Sequence, residues 1–133
     1  MKLSSEPYSV DGAALVIRIV FCGLMVYNHW FMHLSLFSES PDSFPDPLGI
    51  GAVATYYIVI ISEGLCATFV LLGLFTRWAL LPLLAVMLVA TVQVHWNNSM
   101  SEKELPLLYL AVFATIWLLG PGKYSLDAQV LKR

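Results

Sequence analysis

Arg18, His29, His33, Glu63, His95 and Glu104 lie in or at the edges of long apolar runs. An ionisable group in hydrocarbon costs about 2.5–3.5 kcal/mol on insertion scales, so such groups pair with one another or turn away from lipid. The stretch YNHWFMH (Tyr27 to His33) carries two imidazoles one helical turn apart. Imidazoles exchange protons near neutral pH, and two of them at i and i+4 can hold one metal ion. Arg18 and Glu63 offer opposite charges, suited to an ion pair or to a proton or head-group site. Cys22 and Cys66 add two thiols inside apolar runs, and no CxxC occurs. Most buried cysteines act as small apolar residues, and free thiols are expected here.

The elements that carry these groups follow from composition. Of 133 residues, 59% are hydrophobic and 12% charged. Soluble domains average about 45–50% apolar and about 25% charged, so this chain lacks the polar surface of a water-soluble globule. An integral membrane protein is expected, with the lipid bilayer as its first partner. The net charge of −2 supplies no basic field, which sets nucleic acid aside as a partner. The N-terminal segment MKLSSEPYSVDG has no apolar run of its own and reads as no cleaved leader.

A spanning helix needs about 20 apolar residues. Four segments qualify: roughly Gly12 to Leu36, Ile50 to Leu72, Trp78 to Val94 (extended to Asn97), and Leu105 to Leu119. The fold class is therefore all-α, an antiparallel four-helix transmembrane bundle in a single domain covering 1–133. A short interfacial helix follows, capped by Ser125, with Leu126, Val130 and Leu131 on one side. Gly73 suits the left-handed end of the second span, Thr76 suits the cap of the third, and Pro106 suits the first turn of the fourth. Lys2, Arg77, Lys123, Lys132 and Arg133 fall on one side and Lys103 on the other. The positive-inside rule then puts both termini in the cytoplasm. Trp30, Trp96 and Tyr109 are expected at the outer boundary, and Trp78, Trp117 and Tyr124 at the inner one.

At 100° per residue, Arg18, Cys22, Met25, His29 and His33 share one face of the first span, and Tyr56, Glu63, Cys66 and Val70 share one face of the second. Arg18 and Glu63 differ in depth by about 6 Å, within reach of an arginine, and a structural ion pair between them is expected. His29, His33, His95 and Glu104 come to the same membrane side. They are candidates for a polar pocket that binds a small molecule, handles protons or, for His29 and His33, weakly ligates a metal. The plainer reading of every one of these residues is architectural: the ion pair orients two helices, and the histidines bond loops and headgroups.

Several pieces of the chain occur together in a recognisable order. They are Arg18, His29, FPDP (Phe44 to Pro47), Glu63, LLGLFTR (Leu71 to Arg77), Met87, His95, Glu104 and GPGKYSLD (Gly120 to Asp127). In this order the chain resembles the DoxX family of small four-helix bacterial membrane proteins, from Arg18 to Asp127. The resemblance implies an inner-membrane subunit associated with a quinone- or thiol-linked redox complex, with a protein partner or a homo-oligomer. Its ligand-binding or proton-handling candidates are Arg18, His29, Glu63, His95 and Glu104. The sequence carries no haem ligand pair, flavin motif or CxxC relay. The expected cofactor is thus none of its own, or a diffusible quinone, and the chain is at most an oxidoreductase subunit. The alternative is a non-enzymatic scaffold, assembly factor or accessory subunit.

Overall fold

A computed structural model of the chain describes residues 9–31, 41–94 and 97–131, with backbone alone at 29–31 and 94. The elements are helix α1 (residues 10–31), α2 (Ala52–Leu72), α3 (residues 76–94), α4 (Met100–Leu119) and a short α5 (Leu126–Val130). No strand occurs among the described residues.

Arg18–Cys22 of α1 packs on Ala67–Leu72 of α2, and Val26–Phe31 packs on Ile61–Cys66, so the two helices run antiparallel. α3 lies against both α2 and α4, and the start of α1 returns to α4, closing the bundle. The common core includes Met25, Val70, Leu80, Leu83, Phe113 and Ile116. Outside, Val16, Ile19, Val20 and Leu24 of α1 and Ile58, Ile61 and Leu65 of α2 are exposed. Inside, Arg18, Ser62, Glu63 and Thr76 are buried. Apolar outside and polar within is the arrangement of a protein dissolved in lipid.

Three helical segments, Val10–Asn28, Ala52–Leu72 and Thr76–Gln93, are long and apolar enough to cross a membrane. α4 has 20 residues, but Glu102, Lys103 and Glu104 occupy its first turns. Its start at Met100 is five residues earlier than expected, so Pro106 lies inside the helix rather than in its first turn. Pro82 lies inside α3. α1 departs from α-helical winding at Arg18–Cys22 and Val26–Phe31, α2 at Ile61–Cys66 and α3 at Ala90–Val94, where the turns widen to π-helix. Such wide turns gather at functional positions, and here they carry Arg18, Cys22, His29 and Glu63.

The turn between α2 and α3 is set by Gly73, at φ 71° and ψ 38°. Leu74 N donates to Phe69 O (2.8 Å) and Gly73 N to Val70 O (3.0 Å), the paired bonds of a Schellman ending. Thr76, the expected cap of the third span, is instead its first helical residue, and the cap position falls on Phe75 at φ 47°. The C-terminal segment supplies the capping group, as shown below. Ser125 caps α5 as expected, its hydroxyl accepting from Ala128 N at 3.2 Å. Tyr109 is 5% exposed and packs in the core against Phe21 and Phe113. The earlier start of α4 moves Tyr109 several residues deeper into its helix. Trp78 and Tyr124 are exposed near the turn that ends α2, whereas Trp30 and Trp96 lie outside the described side chains.

Candidate functional site

The loop before α2 folds over that helix because Asp46 ties it down. The Asp46 carboxylate accepts from Gly51 N (2.8 Å), Ile50 N (3.1 Å) and the Thr55 hydroxyl (3.1 Å). These donors face the start of α2, where backbone N–H groups have no helical partner. They hold the Asp46 carboxyl below the usual carboxylate range, the Gly51 N–H most of all, helped by the Thr55 hydroxyl and the Ile50 N–H. A folded-state value below the unfolded one stabilises the loop above the unfolded value and loses that contribution as pH falls through the folded value. The protected amides of residues 49–55 are expected to exchange faster in acid, below about pH 4, when followed by hydrogen exchange. Asp46→Asn should remove this pH dependence; an unchanged profile in that variant would assign it to another group.

So anchored, Phe44 sets its ring edge-on to Tyr56 at 5.5 Å between centroids. Beneath the loop lies a cavity of about 260 Å³ between α2 and α3. Phe44, Pro47 and Leu48 cover it, Ile58 and Val59 form one wall, and Val86, Val89 and Ala90 form the other. Glu63, 6% exposed, is the single ionisable residue among those that line it. Leu48, Ile50 and Ile58 stand half exposed at the rim, so the cavity opens on the apolar outer surface. The volume falls just under the roughly 300–1,000 Å³ usual for small-molecule sites. The turn that carries Glu63 packs on Val26–Phe31, the turn that carries His29.

Arg18 serves the opposite end of the bundle. It is 1% exposed, and its Nη2 donates to the carbonyl of Tyr124 at 3.0 Å. Its Nε and Nη1 have no hydrogen-bond acceptor. Each buried donor left so costs about 1–3 kcal/mol. A Cβ on Gly73 would overlap Arg18 Nη1 and the Ser125 side chain, so glycine is what admits the guanidinium here. The sequence pairs Arg18 with Glu63; the structure gives the guanidinium to the C-terminal segment, where Nη2 meets the Tyr124 carbonyl. Helical side chains lean toward the helix N-terminus. Arg18 therefore reaches back toward Gly73, ten residues and about 15 Å along α2 from Glu63.

Asp127 is the residue that sequence reasoning missed. Its carboxylate accepts from Phe75 N (2.7 Å), Thr76 N (3.0 Å) and Thr76 Oγ1 (2.8 Å), while its own N–H donates to Gly73 O (2.7 Å). Lys123 N donates to Asp11 Oδ1 at 3.0 Å, which ties the same segment to the start of α1. The motifs LLGLFTR and GPGKYSLD carried the signal: the first supplies Gly73 and Thr76, the second Asp127, and they are the two halves of one joint.

Of the remaining candidates, Glu104 is exposed on α4 beside Leu107 and Leu108, and it does not line the cavity that holds Glu63. His33 and His95 lie outside the described residues, and of His29 the backbone alone is described. Among the described residues no group of three metal-ligating side chains comes together. Cys22 and Cys66 are free thiols, the first buried and the second partly so. Of the expected stripes, Arg18, Cys22 and Met25 are buried on α1, and Tyr56, Glu63 and Val70 on α2, with Cys66 partly so; the side chains of His29 and His33 lie outside those described.

Comparison with known proteins places this geometry in a family. The family model described as DoxX matches residues 13–96. An uncharacterized protein of Haemophilus influenzae is 30% identical over 101 residues, covering 72% of this chain and 67% of that protein. An uncharacterized membrane protein of Mycobacterium tuberculosis is 31% identical over 114 residues, covering 68% of this chain and 69% of that protein. No solved structure matches.

Proposed function

The chain belongs to the DoxX family of membrane proteins, and from that premise we propose that it binds a lipid-soluble, quinone-like molecule in the cavity beneath the Phe44–Leu48 loop. It does so as an inner-membrane subunit of a redox complex, with both termini in the cytoplasm. The observation that carries this reading is a single buried acid, Glu63, in a cavity whose other lining, Thr55 apart, is apolar, and whose rim is the apolar outer surface.

The chemistry fits a molecule with an apolar body and one polar head. The apolar body gains by leaving the chain-packed bilayer only if the walls fit it, so Phe44, Val59 and Val89 set its shape. The head meets one carboxyl group. Ionised, that carboxyl accepts a bond from a hydroquinone hydroxyl; protonated, it donates to a quinone carbonyl. One side chain thus serves both redox forms. Oxidation of a hydroquinone releases two protons and two electrons. Glu63 takes one proton, the other passes toward the membrane surface, and both electrons pass to a partner redox protein. His29, on the turn packed against Glu63, is the candidate for passing that proton toward the membrane surface. His95 and Glu104 belong to this proposal as proton-handling groups nearer the same surface.

Purification in lipid nanodiscs, followed by solvent extraction and mass spectrometry, tests the reading. A quinone retained in stoichiometric amount, and displaced by a short-chain analogue, is the expected result. A protein partner that co-purifies while no lipid-soluble redox molecule is retained would favour the accessory-subunit reading instead.

A further inference from the structure

The Asp127 carboxylate occupies a position built for an anion. The 14-residue helical stretch Thr76–Val89 begins there, and its first free N–H groups, with the Thr76 hydroxyl, converge on the two carboxylate oxygens. Helix starts concentrate positive potential and unpaired donors, and they hold phosphates and carboxylates alike. Beside this start Arg18 is buried against Gly73, and its Nε and Nη1 have no acceptor. The two oxygens of Asp127 are already engaged by α3. As placed, they give no bond to Nε or Nη1 of Arg18, whereas a tetrahedral oxyanion has further oxygens to offer that fork.

We propose that the start of α3 and Arg18 together form a binding site for a phosphate-class oxyanion, and that the C-terminal segment covers this site with Asp127 as its internal stand-in. When the oxyanion binds, Asp127 and the Tyr124 carbonyl leave, and Nε and Nη1 gain the acceptors they lack. The Lys123–Asp11 contact would still tie the start of the segment to α1. The site is separate from the cavity at Glu63, and its fate does not depend on a quinone.

The test uses the full chain in phosphatidylcholine nanodiscs, with hydrogen exchange of residues 121–131 as the readout. One arm adds inorganic phosphate, with chloride at matched ionic strength as control. The other arm replaces part of the phosphatidylcholine by phosphatidic acid. Several-fold faster exchange of the segment is expected in one arm or both: the first identifies a free anion, the second a lipid headgroup. Asp127→Asn, which keeps one capping oxygen, should bind the effective phosphate about tenfold more tightly because its competitor is weakened. Adding Arg18→Gln to that variant should abolish the gain. Unchanged exchange of the unmodified protein in both arms would overturn the proposal without recourse to any variant, as would binding that survives the loss of Arg18.

Discussion

Glutamine at position 63 is expected to weaken binding of a short-chain quinol tenfold or more, with the bundle intact. The side chain keeps its volume and its carbonyl oxygen, so the packing of α2 against α1 and α3 is undisturbed. What is lost is the charge-assisted acceptor. Hydrogen bonds to charged groups contribute about 1.5–3 kcal/mol, and about 1.4 kcal/mol is a factor of ten in affinity. Binding measured by equilibrium dialysis into nanodiscs should show this loss for the quinol and a smaller one for the quinone, which accepts rather than donates. A second variant separates the acid from the space around it. Val89→Phe fills the cavity from the α3 wall and should exclude both redox forms while Glu63 remains. Equal affinity in the parent, Glu63→Gln and Val89→Phe proteins would remove the cavity from consideration as a ligand site.

Gly73→Ala should be the most damaging single-methyl change in the chain. The residue sits at φ 71°, where a Cβ-bearing residue is strained by about 1–2 kcal/mol. The added methyl also meets Arg18 Nη1 and the Ser125 side chain at overlapping distance. Overpacking of this kind costs about 1–3 kcal/mol. Together the two effects come to about 2–5 kcal/mol, a large share of the net stability of most domains. Thermal unfolding in nanodiscs should show a marked drop, and protease should cut the 121–131 segment at a temperature where the parent resists. Shortening the arginine relieves part of the clash, so Arg18→Gln should reduce the damage from Gly73→Ala. A Gly73→Ala protein as stable as its parent would mean that Arg18 does not rest against this turn.

Lipid favours what periodicity can read. Three membrane-crossing segments and the Gly73 ending follow from residue spacing within single segments, and Cys22, Met25, Tyr56, Glu63 and Val70 turn inward as their angles require. The failures share a different cause. Arg18 was matched to Glu63 by backbone depth, but its long side chain leans toward its own helix start and is captured there. Thr76 looked like a cap because threonine often is one; the capping carboxylate lies 51 residues downstream, and no local pattern points to it. The start of α4 was drawn where charge gives way to leucine, yet Glu102, Lys103 and Glu104 are good helix formers and extend the helix back to Ser99. The cavity under the Phe44 loop belongs to the same class. Asp46 is readable as a turn residue, but the space it encloses arises from a loop, α2 and α3 meeting.

The joint between Asp127 and the start of α3 also sets an order of assembly. Ribosomes add roughly 5–20 residues per second, so the 51 residues between Thr76 and Asp127 take about 3–10 s to appear. Until then the leading amides of α3 and the Arg18 guanidinium lack the partners that the folded chain gives them, and the joint closes only after α1 to α4 have all been made.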